Sequence, residues 1–311
     1  MKLLIHFLRL IRWPNLLFIL LAECLFHFCI YKPLFPLAGQ EVDFRFYLML
    51  LSNVFIAAAG YMINDYFDVN IDQINKPSKV VVGAYISRRW VIFWHLILSV
   101  FAIYISTIVF PFKTYWHIHL SNLLAILLLW FYSTTFKKNF LVGNIIISVL
   151  TAWSIAVVYF SKLTIQEIIH PNINDIANFK FAKLTLLYSA FAFILTLVRE
   201  ALKDLEDMEG DEKFGCTTLP IKWGLKPTKV YLSVWLIVVI ALLLIIQLVV
   251  IPFGWWLSAI YCIVFIVTPL VIVFYKLPKS FTNKHFNELS TWVKVAMLFG
   301  ILSIAFFYFL F

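Results

Sequence analysis

Charge is what this 311-residue chain is short of. Only 13% of its residues are Asp, Glu, Lys or Arg, about half the share of an ordinary soluble domain. It has four cysteines, Cys24, Cys29, Cys216 and Cys262. Three sit in apolar runs and no two form a C-x-x-C pair, which excludes a zinc site of that type and a disulfide framework. The first thirty residues lack a small-residue cleavage site, so Arg9, Arg12 and Trp13-Pro14 lead into a retained first helix. What the chain has in excess is apolar residues, 63% of the total, with a mean hydropathy of +0.94. No water-soluble core of this size needs so many. The fold class expected is an all-α polytopic membrane protein.

A spanning helix takes about 20 apolar residues. Runs of that kind fall near 14–31, 45–63, 90–110, 117–136, 140–160, 182–199, 228–250, 252–275 and 290–311. Nine spans put the termini on opposite sides. Positively charged loops stay cytosolic, and a cytosolic N-terminus places 18 of the 25 Lys and Arg on the inside. That distribution also accounts for the net charge of +9 without a nucleic-acid partner. Two inside loops are long, 64–89 and 200–227, and each follows an even-numbered span. The layout suggests one domain, 1–311, made of two four-helix halves and a ninth helix.

The acids are not spread evenly. Asn64-Asp65-Tyr66-Phe67-Asp68-Val69-Asn70-Ile71-Asp72 holds three, and Arg199 to Glu212 holds seven, so ten of the 16 Asp and Glu lie in two short segments. At about 100° per residue, Asp65, Asp68 and Asp72 share one helical face, as do Glu200, Asp204, Asp207 and Asp211. Like charges at these spacings repel, and they stand at the C-terminal ends of spans two and six, against the helix dipole. Something positive should neutralise them. Carboxylates and an amide oxygen are hard ligands of the kind magnesium takes, commonly shared with substrate phosphate. Solvated helix caps are the bland alternative.

The paired motifs N-D-x-x-D-x-x-x-D (Asn64 to Asp72) and D-x-x-x-D (Asp207 to Asp211), in a nine-span chain, resemble the UbiA superfamily of intramembrane prenyltransferases. Arg12-Trp13-Pro14-Asn15 looks like that family's R-x-x-N opening, and Tyr132-Ser133 before Lys137-Lys138 like its tyrosine and basic pair. Arg199-Glu200-x-x-Lys203-Asp204-x-Glu206-Asp207-x-x-Gly210-Asp211, with Thr218-Leu219-Pro220-Ile221 and Gly143-Asn144, is most similar to the digeranylgeranylglyceryl phosphate synthases. The stretch Asn75 to Gly83 departs from the pattern, with Lys for Arg and Val for Pro.

The resemblance implies about nine helices around a central cavity, in the cell membrane, with the active site facing the cytosol. It implies magnesium as cofactor, a polyprenyl (geranylgeranyl) diphosphate donor, and a glycerol-phosphate lipid acceptor such as geranylgeranylglyceryl phosphate. An aromatic acceptor of the 4-hydroxybenzoate type is the nearer alternative and a membrane transporter the more distant one. Residue by residue, Asn64, Asp65, Asp68, Asp207 and Asp211 would hold metal, and Asp72 and Asp204 would be further ligands or orienters. Asn15, Lys76, Lys79, Lys137, Lys138, Arg199 and Lys203 would grip substrate, and Tyr132 would touch the diphosphate. Each base taken singly also reads as a headgroup contact, and Tyr132 as an interfacial aromatic. Glu23 and His27, one turn apart inside span one, read either as a functional pair or as a mutual hydrogen bond facing the bundle interior.

Overall fold

The computed structural model describes residues 2–37, 40–172 and 175–309, apart from the side chains of Lys2, Gln40, Glu41 and Lys79. Among them nine helices are long and apolar enough to cross a membrane. The first four spans are Trp13–Leu34, Val42–Asn75, Arg88–Val109 and Phe112–Thr134. The fifth and sixth are Val142–Phe160 and Ile176–Glu206, and the last three are Leu225–Phe253, Trp256–Lys279 and Asn283–Phe309. No strand occurs among the described residues; one isolated bridge pairs Val82 with Ile86. Many large apolar side chains, Leu186 and Leu248 among them, are exposed, which suits contact with lipid tails and would be a liability in water.

The second and sixth spans outrun their apolar runs and continue as helix to Asn75 and Glu206. The acids therefore ride on the helices, and the loops after them are shorter than the 64–89 and 200–227 expected. The reason is packing. Beyond the apolar run each helix still buries apolar side chains, Val69 and Ile71 in the second and Leu202 and Leu205 in the sixth.

Two compact units divide the chain: Met1–Phe136 with Trp153–Leu187, and Lys137–Ala152 with Tyr188–Phe311. The division falls within the fifth and sixth spans. In the first unit, Leu10, Met62, Val69, Val81, Val82 and Ile86 form a buried cluster that ties the N-terminal helix (Lys2–Leu10) and the loop after Asn75 to the second span. His6 stacks on Tyr85 at 3.7 Å across the same junction. In the second unit, Leu202 and Leu205 of the sixth span belong to a core shared with the last three spans, through Leu232, Leu270, Phe286 and Val293.

Apolar burial does little to bring helices together when the surrounding solvent is itself apolar, so close contact and interhelical hydrogen bonds carry that work. Gly60 supplies the contact: a Cβ there would lie 2.7 Å from Leu129 Cδ1. Ser52 Oγ donates to the Ala102 carbonyl at 2.9 Å, and His95 Nδ1 donates to that of Ala59 at 2.9 Å. Each such bond contributes about 0.6 kcal/mol.

Two spans contain a turn of π-helix, at Phe26–Tyr31 in the first and Cys262–Val267 in the eighth. Each lies just before a proline, Pro33 or Pro269. A proline has no N–H to give to the carbonyl four residues back, and the backbone widens by one residue instead. The Lys32 N–H thus bonds His27 O, and the Thr268 N–H bonds Ile263 O.

Glu23 and His27 are fully buried in the first span, but the mutual hydrogen bond considered for them does not form. Each finds a partner on the second span. Asn53 Nδ2 donates to both Glu23 oxygens at 3.1 Å, and His27 Nε2 pairs with Asp43 Oδ1 at 2.8 Å.

Candidate active site

The first acidic segment is one unbroken face of the second span. Asn64 Nδ2 donates to Asp68 Oδ2 at 2.7 Å, which holds a carboxylate that is only 4% exposed. The Asn64 amide oxygen is left as an acceptor. Asp65 is met from another helix, since Arg12 Nη2 donates to its Oδ1 as an ion pair. Arg12 also lies 5.3 Å from the centre of the Tyr61 ring. The aspartate beside it raises the guanidinium above its ordinary pKa, so the arginine stays charged. Asp72 is half-buried one turn on, and Lys76 follows the helix end, its N–H bonded to the Asp72 carbonyl at 2.8 Å. The Lys79 side chain lies outside the described residues.

Arg12 reaches Asp65 because the backbone bends there. It adopts φ 50 and ψ 51, the left-handed region, between the N-terminal helix and Trp13–Leu25. An L residue pays about 1–2 kcal/mol for that geometry. Pro14 then starts the span, and the Asn15 N–H bonds back to Arg12 O at 2.8 Å.

The second segment is built differently. The sixth span stops at Glu206, Asp207 departs from helical geometry at φ −97 and ψ 5, and a short helix Met208–Lys213 resumes. Gly215, at φ 69, turns the chain so that the Cys216 N–H reaches Asp211 O at 3.0 Å. Thr217 then binds the Lys138 carbonyl twice, through its N–H at 2.7 Å and its Oγ1 at 3.1 Å. That tether fixes the basic pair Lys137-Lys138 beside the acidic loop.

Asp204 accepts from Asn144 Nδ2 at 2.8 Å. Asn144 stands three residues after Leu141, which at φ 58 is, with Arg12, one of two non-glycine residues of positive φ among those described. Asp65, Asp68 and Asp72 have the same spacing as Asp204, Asp207 and Asp211. In each unit, then, the first aspartate of the ladder is gripped from a left-handed junction that opens the preceding span.

Not every expected contact is open to a substrate. Arg199 Nη1 and Lys203 Nζ both bond Glu200 Oε1, at 3.1 and 2.6 Å, so these two bases already share a carboxylate. Tyr132 is half-buried near the end of the fourth span. Among the described residues no three His, Cys, Asp or Glu converge into a metal cage. The carboxylates of Asp65 and Asp68 with the Asn64 amide oxygen are donors of the kind magnesium takes beside its waters and substrate phosphate. Arg12 and Asn144 are the groups that reading by spacing missed as site residues. Arg12-x-x-Asn15 and Gly143-Asn144 were the only signals of them.

One family model, the UbiA prenyltransferase family, matches residues 28–294. The chain belongs to this family. It is an intramembrane prenyltransferase, and that sets aside the transporter alternative. The chain is 27% identical to digeranylgeranylglyceryl phosphate synthase of Methanosphaera stadtmanae over 88% of its own length and 91% of the relative's. It is 31% identical to the enzyme of that name from Sulfolobus acidocaldarius, over 74% of each. Its fold matches a solved structure of a UbiA homologue from Archaeoglobus fulgidus bound to DMAPP and Mg2+, with a TM-score of 0.56 and 17% identity over 96% and 99% of the two chains. A digeranylgeranylglyceryl phosphate synthase structure gives a TM-score of 0.58 at 22% identity, covering 98% and 99%.

Proposed function

We propose that this prenyltransferase moves a geranylgeranyl group from its diphosphate to the free hydroxyl of geranylgeranylglyceryl phosphate, with magnesium as cofactor. The bond from C1 to the diphosphate oxygen breaks, an ether bond from C1 to the acceptor oxygen forms, and the hydroxyl proton is released. The observation that carries the reading is the pair of matched aspartate ladders, each with its first carboxylate held. Relatives bearing one synthase name across most of their length support the acceptor.

Asn64, Asp65, Asp68, Asp207 and Asp211 would hold the metal, which when bound offsets charge on the departing diphosphate. Asp72 and Asp204 orient the ladders. The Asn64–Asp68 bond and the Arg12–Asp65 pair set carboxylate direction before substrate arrives, which limits reorganisation during reaction. Lys76, Lys79, Lys137 and Lys138 grip phosphates, with Asn15 and Tyr132 beside them. Arg199 and Lys203 join them by exchanging Glu200 for phosphate, which arginine also holds in bidentate pairs. The apolar spans around the site hold the prenyl tail and exclude water, which would otherwise hydrolyse the donor. We place the site on the cytosolic face of the cell membrane, within a single domain, on the distribution of Lys and Arg.

The deciding assay supplies purified protein with magnesium, labelled geranylgeranyl diphosphate and either geranylgeranylglyceryl phosphate or 4-hydroxybenzoate. A labelled diether phospholipid is expected. Product from 4-hydroxybenzoate alone would instead make the chain an aromatic prenyltransferase.

A further inference from the structure

The second span runs from Val42 to Asn75, so the membrane face at its start is opposite the one that carries Asp65 and Asp68. At that start the first unit holds a second concentration of charge. The fifth span ends at Phe160, and Ser161 and Lys162 form the turn that follows, with the Lys162 N–H on Tyr159 O at 3.0 Å. The Lys162 side chain folds inward over aromatic rings. Its Nζ is 4.5 Å from the centre of the Tyr31 ring and 5.7 Å from that of Phe46.

No carboxylate among the described residues lies within ion-pair distance of that ammonium. Asp43 is the nearby candidate, and both its oxygens are taken. Oδ1 pairs with His27 Nε2 at 2.8 Å and Oδ2 with Lys32 Nζ at 2.8 Å. Burial therefore depresses the Lys162 amine to about 7; Asp43 opposes the shift and Lys32 adds to it. A cavity of about 90 Å³ opens here, lined by Tyr31, Arg45, Phe46, Tyr115, Ser161 and Lys162. That is the volume of about three waters. Among the described residues two cations and no carboxylate line it, a lining that suits an anion. An oxyanion with several acceptors matches an ammonium and a guanidinium together. Depth fits as well, because the cavity lies at a span end, where aromatic belts and lipid headgroups meet.

We propose that this cavity binds a phosphate group, from a lipid headgroup or from free phosphate, on the membrane face opposite Asp65 and Asp68. Lys162 and Arg45 are its two cationic contacts.

The test follows the acylation rate of Lys162 by acetic anhydride at neutral pH, read by peptide mass spectrometry on the intact protein in a phosphate-free maltoside detergent. Inorganic phosphate is added in one arm and phosphatidic acid in the other, with sodium chloride at matched ionic strength as control. At ten times its dissociation constant the occupying ligand slows labelling about tenfold. Arg45→Gln, a change at an exposed side chain, removes that protection while leaving prenyl transfer unchanged. Protection by phosphatidic acid alone assigns the site to a headgroup, and protection by inorganic phosphate assigns it to the free ion. Unchanged labelling in both arms, or equal slowing by chloride, overturns the proposal.

Discussion

The two left-handed junctions do the same job with different chemistry. At the opening of the first span the left-handed residue is itself the grip, and Arg12 meets Asp65 as a full ion pair. At the opening of the fifth span the left-handed residue is Leu141, and the grip is the neutral amide of Asn144, three positions on. A guanidinium offsets the charge of its aspartate; an amide only orients one. The first ladder is thus partly neutralised before any cation arrives, whereas at Asp204 the grip adds no positive charge.

Removing the middle aspartates tests whether the ladders are equivalent. Asp68→Ala and Asp207→Ala are each expected to lower magnesium-dependent transfer by about 10²–10³-fold in folded protein. A large loss at one and none at the other would break the symmetry. Arg12→Gln is expected to cost about 10- to 100-fold, chiefly as weaker apparent magnesium affinity, as for other groups that orient metal ligands. Full activity in a magnesium titration of that variant would show that Asp65 needs no grip. Asn144→Ala should cost less, about tenfold, and Asn144→Asp more than Ala, because it sets a second carboxylate against Asp204. If Ala proves the worse of the two, Asn144 acts through packing. The smallest effect is on stability. Leu141→Gly relieves a left-handed L residue but frees the unfolded chain, for a net gain of about 0.5–1 kcal/mol. A thermal melt should rise by about 1–2 °C with activity intact, and a fall would mean that the Leu141 side chain is needed.

Much of this was legible in the sequence. Nine apolar runs gave nine spans, and the 3,4 spacing of Asp65, Asp68 and Asp72 gave a helical face, because both signals are local. The grips were not legible as such. Arg12 and Asp65 are 53 residues apart, and Asn144 and Asp204 are 60 apart, so their pairing is a property of packing. The span ends were missed for a related reason: hydropathy stops at 63 and 199, while Val69, Ile71, Leu202 and Leu205 are buried by tertiary packing beyond those points. Glu23 and His27 misled for the opposite reason. Their one-turn spacing suggested a local pair, and each was captured instead by the second span.

The π-turn before Pro33 also fixes what can be changed around it. It acts as one surplus residue in the helix, so deleting a single position between 26 and 31 would let the coil close to its usual pitch. The residues after it would keep nearly the same positions, because a π-turn absorbs its surplus residue within one turn. Lys32 would still face Asp43, and Pro33 would then stand in an α-turn whose carbonyl it cannot satisfy. A helical wheel drawn straight through the π-turn counts that surplus residue as about 100° of rotation and so assigns the wrong side of the helix to every residue beyond.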